Sequence, residues 1–330
     1  MKKKTFFTLA ALCMAVAANA TILRVSNVNG SSAPYSTIQA AVDAATAGDT
    51  IMVDGSSDGY GYAEISKSLV LIGPGYWLNK NGLVQESAPS AQAYFLILSS
   101  APGTVIEGFE LRGFSGGLIR INADNCVIRR NSFYDHVGYT AISFSRDYIN
   151  DEYIGPDPSG AVIQQNFFHD CKITAWRLNG LMSNAQITNN IFLMNDGEYS
   201  LENIGNSYIA YNTIVGECSW SSFRTVLAST IEHNIIREQK VSYENIGIQD
   251  DNEWSDNKVV GFFKVEFNTE KEIRDNVTAE IVNTHGAFAG DSPYVLSGIP
   301  AAPVIQDLVM PTTVEKGKKM NVTIKVGVQK

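Results

Sequence analysis

The sequence has few cysteines, few histidines, no excess of positive charge and, beyond its first twenty residues, no long apolar run. The last shortage excludes a later membrane-spanning helix. Lysine and arginine total 25 against 34 acidic residues, which gives a formal net charge of −9. A field of that sign repels nucleic acid and anionic membranes, so neither is expected as a partner, and a polyanionic ligand would need a local basic patch.

The first twenty residues are typical of a cleaved signal peptide. A basic start, an apolar run from Thr5 to Ala18 and small residues up to Ala20 precede the expected mature start at Thr21. Cys13 raises a lipoprotein anchor as an alternative, but the bulky Leu12 before it disfavours that. We therefore predict an exported protein that is periplasmic, secreted or on the cell surface, with a net charge of −12 once three lysines are removed.

Few cysteines remain after the predicted cleavage, and their number is odd. Cys126, Cys171 and Cys218 fall in an export compartment that permits disulfides, but their places in the repeat described next argue against pairing. We expect all three to be small buried hydrophobic residues.

A short phrase recurs along the chain: "CVIRRNSF", "AVIQQNFF", "AQITNNIF", "SYIAYNTI" and "STIEHNII". Each has an apolar pair, two further residues, an asparagine and another apolar residue. The asparagines are separated by steps of 35, 24, 22, 22, 23 and 19 residues, and they are Asn131, Asn166, Asn190, Asn212, Asn234, Asn257 and Asn276. A period near 22 residues indicates a solenoid, and the short apolar pieces favour three strands per coil.

This pattern resembles the right-handed parallel β-helix of the pectate-lyase-like superfamily over most of the chain. The resemblance implies an all-β solenoid of about eight or nine coils between residues 50 and 285, and "TIQAAVDAATAGDTIMV" is similar to the start of such helices. Ile38, Ala41, Val42 and Ala45 would form one face of a capping helix from Thr37 to about Ala47. We predict a β-helix domain at 21–290 and a C-terminal extended tail with capping strands at 291–330.

The recurring asparagines are predicted to be scaffold. At the bend between two strands, an asparagine tolerates a left-handed backbone. Stacking at the strand spacing of about 4.8 Å would let the amides bond from coil to coil as a ladder.

Two segments break the period. The step of 35 residues contains an insertion, "SRDYINDEYIGPDPSG" (145–160), which is expected to leave the stack as a loop. Prolines cluster after residue 290, which indicates an extended segment before an alternating strand at 320–328.

A further strand follows each asparagine by about eleven residues, in segments such as "GGLIRIN", "TAWRLNG" and "YSLENIG". In the superfamily that this chain resembles, the row of long strands carries the substrate groove. Alternation of faces predicts inward apolar residues, including Trp176 and Leu178, and outward Arg120, Ser143, Arg177, Glu202, Arg224 and Gln249.

Three arginines and a glutamate on neighbouring coils suit a polymer that bears carboxylates, because arginine forks pair with such groups. A uronate lyase would use a cation against the sugar carboxylate and a base for the adjacent proton. The candidate catalytic residues are Arg177, Lys172, Arg120 and Tyr139. The candidate substrate-binding residues are Arg224, Glu202, His136, His169, Tyr199 and Trp220.

Other chemistries fit less well. Hydrolases and esterases of this superfamily need clustered aspartates, which the strand row does not offer. The sequence shows no convincing calcium cage either, so no metal ligand is assigned, although calcium stays open as a cofactor. The function predicted is binding or processing of an extracellular acidic polysaccharide, with lyase-like chemistry and a non-catalytic glycan-binding or adhesion module as alternatives; the oligomeric state is left open.

Overall fold

The computed structural model describes residues 20–80, 89–113, 117–196, 199–217, 220–237, 251–261, 270–277, 279, 281–300, 303–309, 319 and 322–328. For residues 135–139, 303–309 and 324–328 it describes the backbone but not the side chains. The predicted signal peptide, except Ala20, and Cys218 lie outside these ranges.

Short parallel strands dominate the structure, and they are numbered here in chain order. One sheet has ten described strands: β1 (Ile22–Val25), β2 (Thr50–Val53), β4 (Val70–Ile72), β6 (Val105–Glu107), β9 (Val127–Arg129), β13 (Val162–Gln164), β16 (Gln186–Thr188), β19 (Tyr208–Ala210), β22 (Thr230–Glu232) and β24 (Glu253–Ser255). Nine of them follow residue 49, within the predicted number of coils.

The second sheet holds two rows of strands, which the long β10 and β14 join. Its described members are β3 (Gly61–Ile65), β5 (Ala93–Ile97), β7 (Glu110–Arg112), β8 (Ile119–Ile121), β10 (Ser132–Phe144), β14 (Phe167–Ala175), β15 (Met182–Ser183), β17 (Ile191–Leu193), β18 (Leu201–Gly205), β20 (Thr213–Val215), β21 (Phe223–Leu227), β23 (Ile235–Arg237) and β25 (Lys258–Val260). We call β3, β5, β8, the second halves of β10 and β14, β18 and β21 the long-strand row.

The remaining elements lie outside the coils. They are α1 (Ile38–Ala44), the antiparallel hairpin β11 (Asp147–Ile149) and β12 (Glu152–Ile154), α2 (Glu270–Val277), a 3₁₀ turn (Leu296–Gly298) and the antiparallel pair β26 (Pro303–Val309) and β27 (Thr323–Val328). The predicted insertion therefore leaves the stack as a hairpin. None of the described helices is long and apolar enough to cross a bilayer.

Helix α1 covers the start of the coils, as the sequence predicted. Thr37 caps it, because its hydroxyl oxygen accepts a hydrogen bond from the Ala40 N–H at 3.2 Å. Ile38, Ala41 and Val42 are buried against the first strands. The helix ends at Ala44, three residues before the predicted end.

The interior of the solenoid consists of aligned apolar side chains. Phe133, Phe168 and Phe192 stack from coil to coil, with ring centroids 4.7 and 4.5 Å apart and ring planes almost parallel. Cys126 and Cys171 are buried in this interior, as predicted. Burial raises the pKa of the Cys126 thiol to about 12, so this side chain behaves as a hydrophobic group.

The asparagine ladder is present from Asn131 to Asn257. From Asn166 on, each amide oxygen accepts hydrogen bonds from the backbone N–H, and from the side-chain amide, of the asparagine one coil earlier, at 2.8–3.2 Å. The Asn131 oxygen accepts from the Phe109 N–H at 3.0 Å. One prediction was wrong: Asn276 lies in α2 and not in the ladder, because the coils end before it.

The prediction that these asparagines are left-handed was also wrong, because the residue before each one takes that conformation. This left-handed row comprises Gly108, Arg130, Gln165, Asn189, Tyr211, His233 and Asp256, with φ between 44° and 80°. The ladder asparagines from Asn131 to Asn234 that follow it are fully buried.

Residues 285–300, which we call the strap, run back along the left-handed row. Asn189 Nδ2 donates to Ala287 O and Ala289 O, Gln165 Nε2 donates to Pro293 O at 2.8 Å, and Arg130 Nη1 donates to Ile299 O at 3.1 Å. Gly298 permits the close approach: a Cβ there would lie 2.2 Å from Arg130 O. Helix α2 holds the strap as well, because Glu270 accepts from the Ser297 N–H at 3.0 Å.

The first contact of the strap is an ion pair on the last described coil. His285 Nε2 lies 3.1 Å from Asp256 Oδ1, and His233 Nε2 lies 3.4 Å from Asp256 Oδ2. The close contact with His285 lowers the pKa of Asp256, and desolvation of the carboxyl group opposes that effect. The contact therefore stabilises the folded state above the pKa of the unfolded carboxyl group, about 3.9, and is lost as the pH falls through the lower folded value.

We expect Asp256→Asn to unfold at lower denaturant than the parent at pH 7, with a difference that disappears as the pH is lowered toward 3. The measurement is the midpoint of chemical unfolding across that range. Asp58→Asn, which changes an exposed carboxylate on another coil, is the control. A difference between Asp256→Asn and the parent that persists at pH 3 would contradict the role of this ion pair.

Candidate functional site

The long-strand row presents one outward side chain per coil in register. Each of these residues pairs with the one on the next strand, in the order Glu64, Leu96, Arg120, Ser143, Thr174, Glu202 and Arg224. Four of these positions, Arg120, Ser143, Glu202 and Arg224, were predicted to face outward. Neighbouring members are one strand spacing apart, about 4.8 Å, so a linear polymer could contact several of them.

Glu202 brings two of the predicted cations together. Its carboxylate lies 3.0 Å from Lys172 Nζ and 3.2 Å from Arg224 Nη1, and it accepts a hydrogen bond from Thr174 Oγ1 at 3.2 Å. The Lys172 and Glu202 side chains are only 13% exposed, but that of Arg224 is 56% exposed. One carboxylate thus holds two cations, and the cluster keeps a net positive charge.

Two aromatic rings border this cluster. Tyr199 and Trp220, both predicted substrate-binding residues, pack edge to face with centroids 5.4 Å apart. The Arg224 guanidinium lies 5.2 Å from the centre of the Tyr199 ring. Trp220 is half exposed, so apolar ring surface is available beside charged groups.

Arg120 lies apart from that cluster, on β8. Its Nε is buried and has no hydrogen-bond partner, and no carboxylate of the described residues forms an ion pair with it. Arg120 acts electrostatically on Tyr62: burial raises the pKa of Tyr62, Glu64 raises it further and Arg120 opposes both. Tyr62 stands beside Tyr94, with ring centroids 6.2 Å apart.

Arg177 does not join Glu202, contrary to what the face assignment suggested. Strand β14 ends at Ala175, so Trp176 and Arg177 follow the strand and both are exposed. The predicted inward position of Trp176 was therefore wrong, since this side chain is 57% exposed. Leu178 is partly buried against the core.

His169 is held by its neighbours near the bend in β14. Its ring stacks on Tyr134 at 4.8 Å, and its Nε2 lies 3.4 Å from Asp170 Oδ2. Burial lowers the pKa of His169, although Asp170 and Asp196 act in the other direction. The predicted site residues His136 and Tyr139 have side chains outside the described part of the chain, and Gln249 lies outside it altogether.

Within the described ranges, no group of three or more histidine, cysteine, aspartate or glutamate side chains is arranged to hold a metal ion. The Glu202 carboxylate on this row is bound to two cationic side chains. The described residues therefore do not fit a calcium site on this row.

Sequence reasoning missed the tyrosines at the start of the row. Tyr62 and Tyr94 occupy outward positions in "GYAEI" and "AYFLI", two strands paired residue for residue. The alternation of faces in these segments could have identified them, but both segments precede Asn131, the first of the recurring asparagines.

Comparisons with known proteins give one structural neighbour. No protein-family description matches the chain, and no curated protein matches its sequence. Among solved structures, a pectate lyase of Bacillus sp. N165 in complex with trigalacturonate is 12% identical, with 76% of this chain and 83% of the lyase covered and a TM-score of 0.36. The strand pairing described above shows by itself that the protein is a parallel β-helix, the architecture of the pectate-lyase-like superfamily that its sequence resembles.

Proposed function

We propose that the protein binds an acidic, uronate-containing polysaccharide along the long-strand row. The observation that carries the proposal is Arg120, a guanidinium on the outward face with a buried Nε that has no partner. A buried donor left unsatisfied costs about 1–3 kcal/mol. Arg120 as a whole is only partly buried, so a carboxylate of a bound polymer would pair with the accessible part of this guanidinium, in the geometry that arginine recognises best.

The surroundings of Arg120 support the same ligand. Three cations on the row, Arg120, Lys172 and Arg224, face two carboxylates, Glu64 and Glu202, so the row is positive in a chain whose net charge is −9. Aromatic rings stand at both ends of it, Tyr62 with Tyr94 and Tyr199 with Trp220. Rings that expose a face beside hydrogen-bonding groups suit pyranose sugars.

We propose binding and not catalysis. A lyase needs a cation and a base that converge on one sugar unit. Arg120 lies on β8 and Arg177 just after β14, which is two strand spacings away, roughly 10 Å, and Lys172 is paired with Glu202. Export to the compartment where such polymers occur remains part of the proposal, on the strength of the leader-like first twenty residues.

We expect Arg120→Ala to weaken binding of polygalacturonate by about tenfold or more, because a hydrogen-bonded charge pair contributes about 1.5–3 kcal/mol. The measurement is calorimetric titration at low salt, with methyl-esterified polymer as the ligand control. Arg24→Ala removes the same charge from β1 on the other sheet, where Arg24 pairs with Asp54, and is expected to change nothing. Equal affinity of the parent and Arg120→Ala would overturn the proposal.

The same preparations decide the question of turnover. Unsaturated sugar ends absorb in the ultraviolet, so a lyase would raise the absorbance of a uronate polymer, with calcium or with chelator. We expect no rise. A rise in absorbance would contradict this expectation. If Lys172→Ala or Arg177→Ala abolishes that rise while the variant unfolds at the parent's midpoint, the protein is a lyase and the binding proposal is wrong.

A further inference from the structure

The hairpin β11–β12 exposes more apolar surface than its size requires. Tyr148, Ile149 and Ile154 are between 41% and 52% exposed, and Tyr148 packs on Tyr153 with centroids 4.8 Å apart. Single exposed apolar residues are ordinary, but a group of them beside an exposed tryptophan marks an interaction surface. That tryptophan is Trp176, 57% exposed at the end of β14.

Polar contacts hold this hairpin against the coils. Asp147 accepts hydrogen bonds from Asn122 Nδ2 at 2.8 Å and from Ser99 Oγ at 2.5 Å. On the other side, Arg146 Nε donates to Arg177 O at 3.1 Å and lies 3.5 Å from Asp157. The hairpin is thus anchored to three coils, so its apolar face is presented in a fixed position.

Arg177 lies between the exposed rings. Its guanidinium carbon is 5.0 Å from the centre of the Trp176 ring and 5.6 Å from that of Tyr153. Within the described part of the chain no carboxylate forms an ion pair with it. We call Tyr148, Tyr153, Trp176 and Arg177 the aromatic ledge.

The ledge continues the long-strand row. Trp176 N donates to Phe144 O at 2.8 Å, so the coil stacking extends one residue past Ala175. Thr174, a member of the outward row, is only three residues before Arg177. A polymer lying on the row would therefore meet the ledge at the side where the strands end.

We propose that the aromatic ledge is a separate sugar subsite, which stacks one pyranose ring on Trp176 and pairs its carboxylate with Arg177. Exposed aromatic rings supply the apolar platform for a sugar face, and an arginine without an acidic partner supplies the charge complement of a uronate. This inference rests on the proposed function and extends it to the length and acidity of the bound chain.

The carboxylates near the ledge leave Arg177 available. Asp157 is occupied by Arg146 and accepts a hydrogen bond from the Asn179 N–H at 2.9 Å. Asp151 accepts a hydrogen bond from the Tyr148 hydroxyl at 3.4 Å, toward the tip of the hairpin. A protein partner with an acidic loop is the competing occupant, and the experiment below separates it from a sugar.

The test compares short and long galacturonate oligomers in calorimetric titrations. Long oligomers can reach the row and the ledge together, so we expect the parent to bind them more tightly than short ones. Trp176→Ala and Arg177→Ala should each remove about tenfold of that gain while leaving the affinity for short oligomers unchanged. Both side chains are exposed, so the fold should tolerate their loss, and Arg24→Ala is the charge-matched control.

The outcomes separate the two proposals. If Arg120→Ala weakens binding but both ledge variants bind every oligomer as the parent does, the ledge is not a sugar subsite and the proposed function stands. If the parent binds no oligomer, both proposals fail, and a protein occupant becomes the explanation for the ledge. If Arg177→Ala loses as much affinity for methyl-esterified oligomers as for free acids, the carboxylate pairing is overturned.

Discussion

Asn212→Leu is expected to lower the free energy of unfolding by about 3 kcal/mol or more, because it leaves several buried groups without partners. Asn212 is fully buried, and its amide oxygen accepts from the Asn190 N–H and side-chain amide at 3.0 Å. Its amide nitrogen donates to Ile187 O at 2.8 Å and to the oxygen of Asn234 at 3.0 Å. Leucine keeps the branched shape of asparagine but is larger and cannot hydrogen-bond, so lost hydrogen bonds and overpacking both destabilise the variant.

The measurement is the midpoint of urea unfolding, followed by circular dichroism. Asn179→Leu makes the same chemical change at an exposed position that takes no part in the ladder, and it should shift the midpoint little. Since each interior coil depends on its neighbours, the loss at one rung should appear in the whole transition. Equal midpoints for Asn212→Leu and the parent would show that the ladder does not stabilise the fold.

The second large effect is expected at Glu107, whose replacement by alanine should cost about 3–5 kcal/mol. Glu107 is 2% exposed and lies 2.7 Å from Arg129 Nη2 and 3.2 Å from Arg130 Nη1. Burial lowers the pKa of Arg130, and the Glu107 carboxylate opposes that effect. Removing the carboxylate would leave a half-buried guanidinium without its counter-charge.

This loss should extend to the strap, because the same Arg130 Nη1 donates to Ile299 O. We therefore expect faster amide hydrogen exchange at residues 296–299 in Glu107→Ala, together with the lower unfolding midpoint. Asp54→Ala breaks the exposed ion pair with Arg24 and should shift the unfolding midpoint little, because solvent screens such a pair. Similar costs for the two variants would contradict a special role for the buried charge.

The scaffold could be predicted because the same side chain is required at the same position of each coil, and the sequence therefore repeats. A buried amide in every coil needs the same partner above and below, so asparagine returns at one position. The left-handed residue before it shows no such repeat. Arg130, Gln165 and Asn189 share a backbone conformation but differ in side chain, because each donates to a different part of the strap.

The positions of side chains on the long-strand row were predicted correctly where the coils are regular and wrongly where they are not. Glu202 and Arg224 are 22 residues apart, one period, and they do lie side by side. Thr174 and Glu202 are 28 residues apart because the turn between them is longer. That difference put Arg177 beside Glu202 in the prediction, whereas Thr174 holds the position. The contact of Arg177 with Tyr153 depends on the folded hairpin, which spacing along the chain does not encode.

The strap determines when the hydrogen bonds of the early coils can form. Arg130, Gln165 and Asn189 find their acceptors 169, 127 and 98 residues later in the chain, respectively. Each coil can stack on the one before it as soon as both exist, but these donors face water until the strap arrives. The hydrogen bonds of the first half of the solenoid are therefore complete only after the last coil has been made. The coils stack from the N-terminus to the C-terminus, whereas the strap runs back from the last coil toward the first.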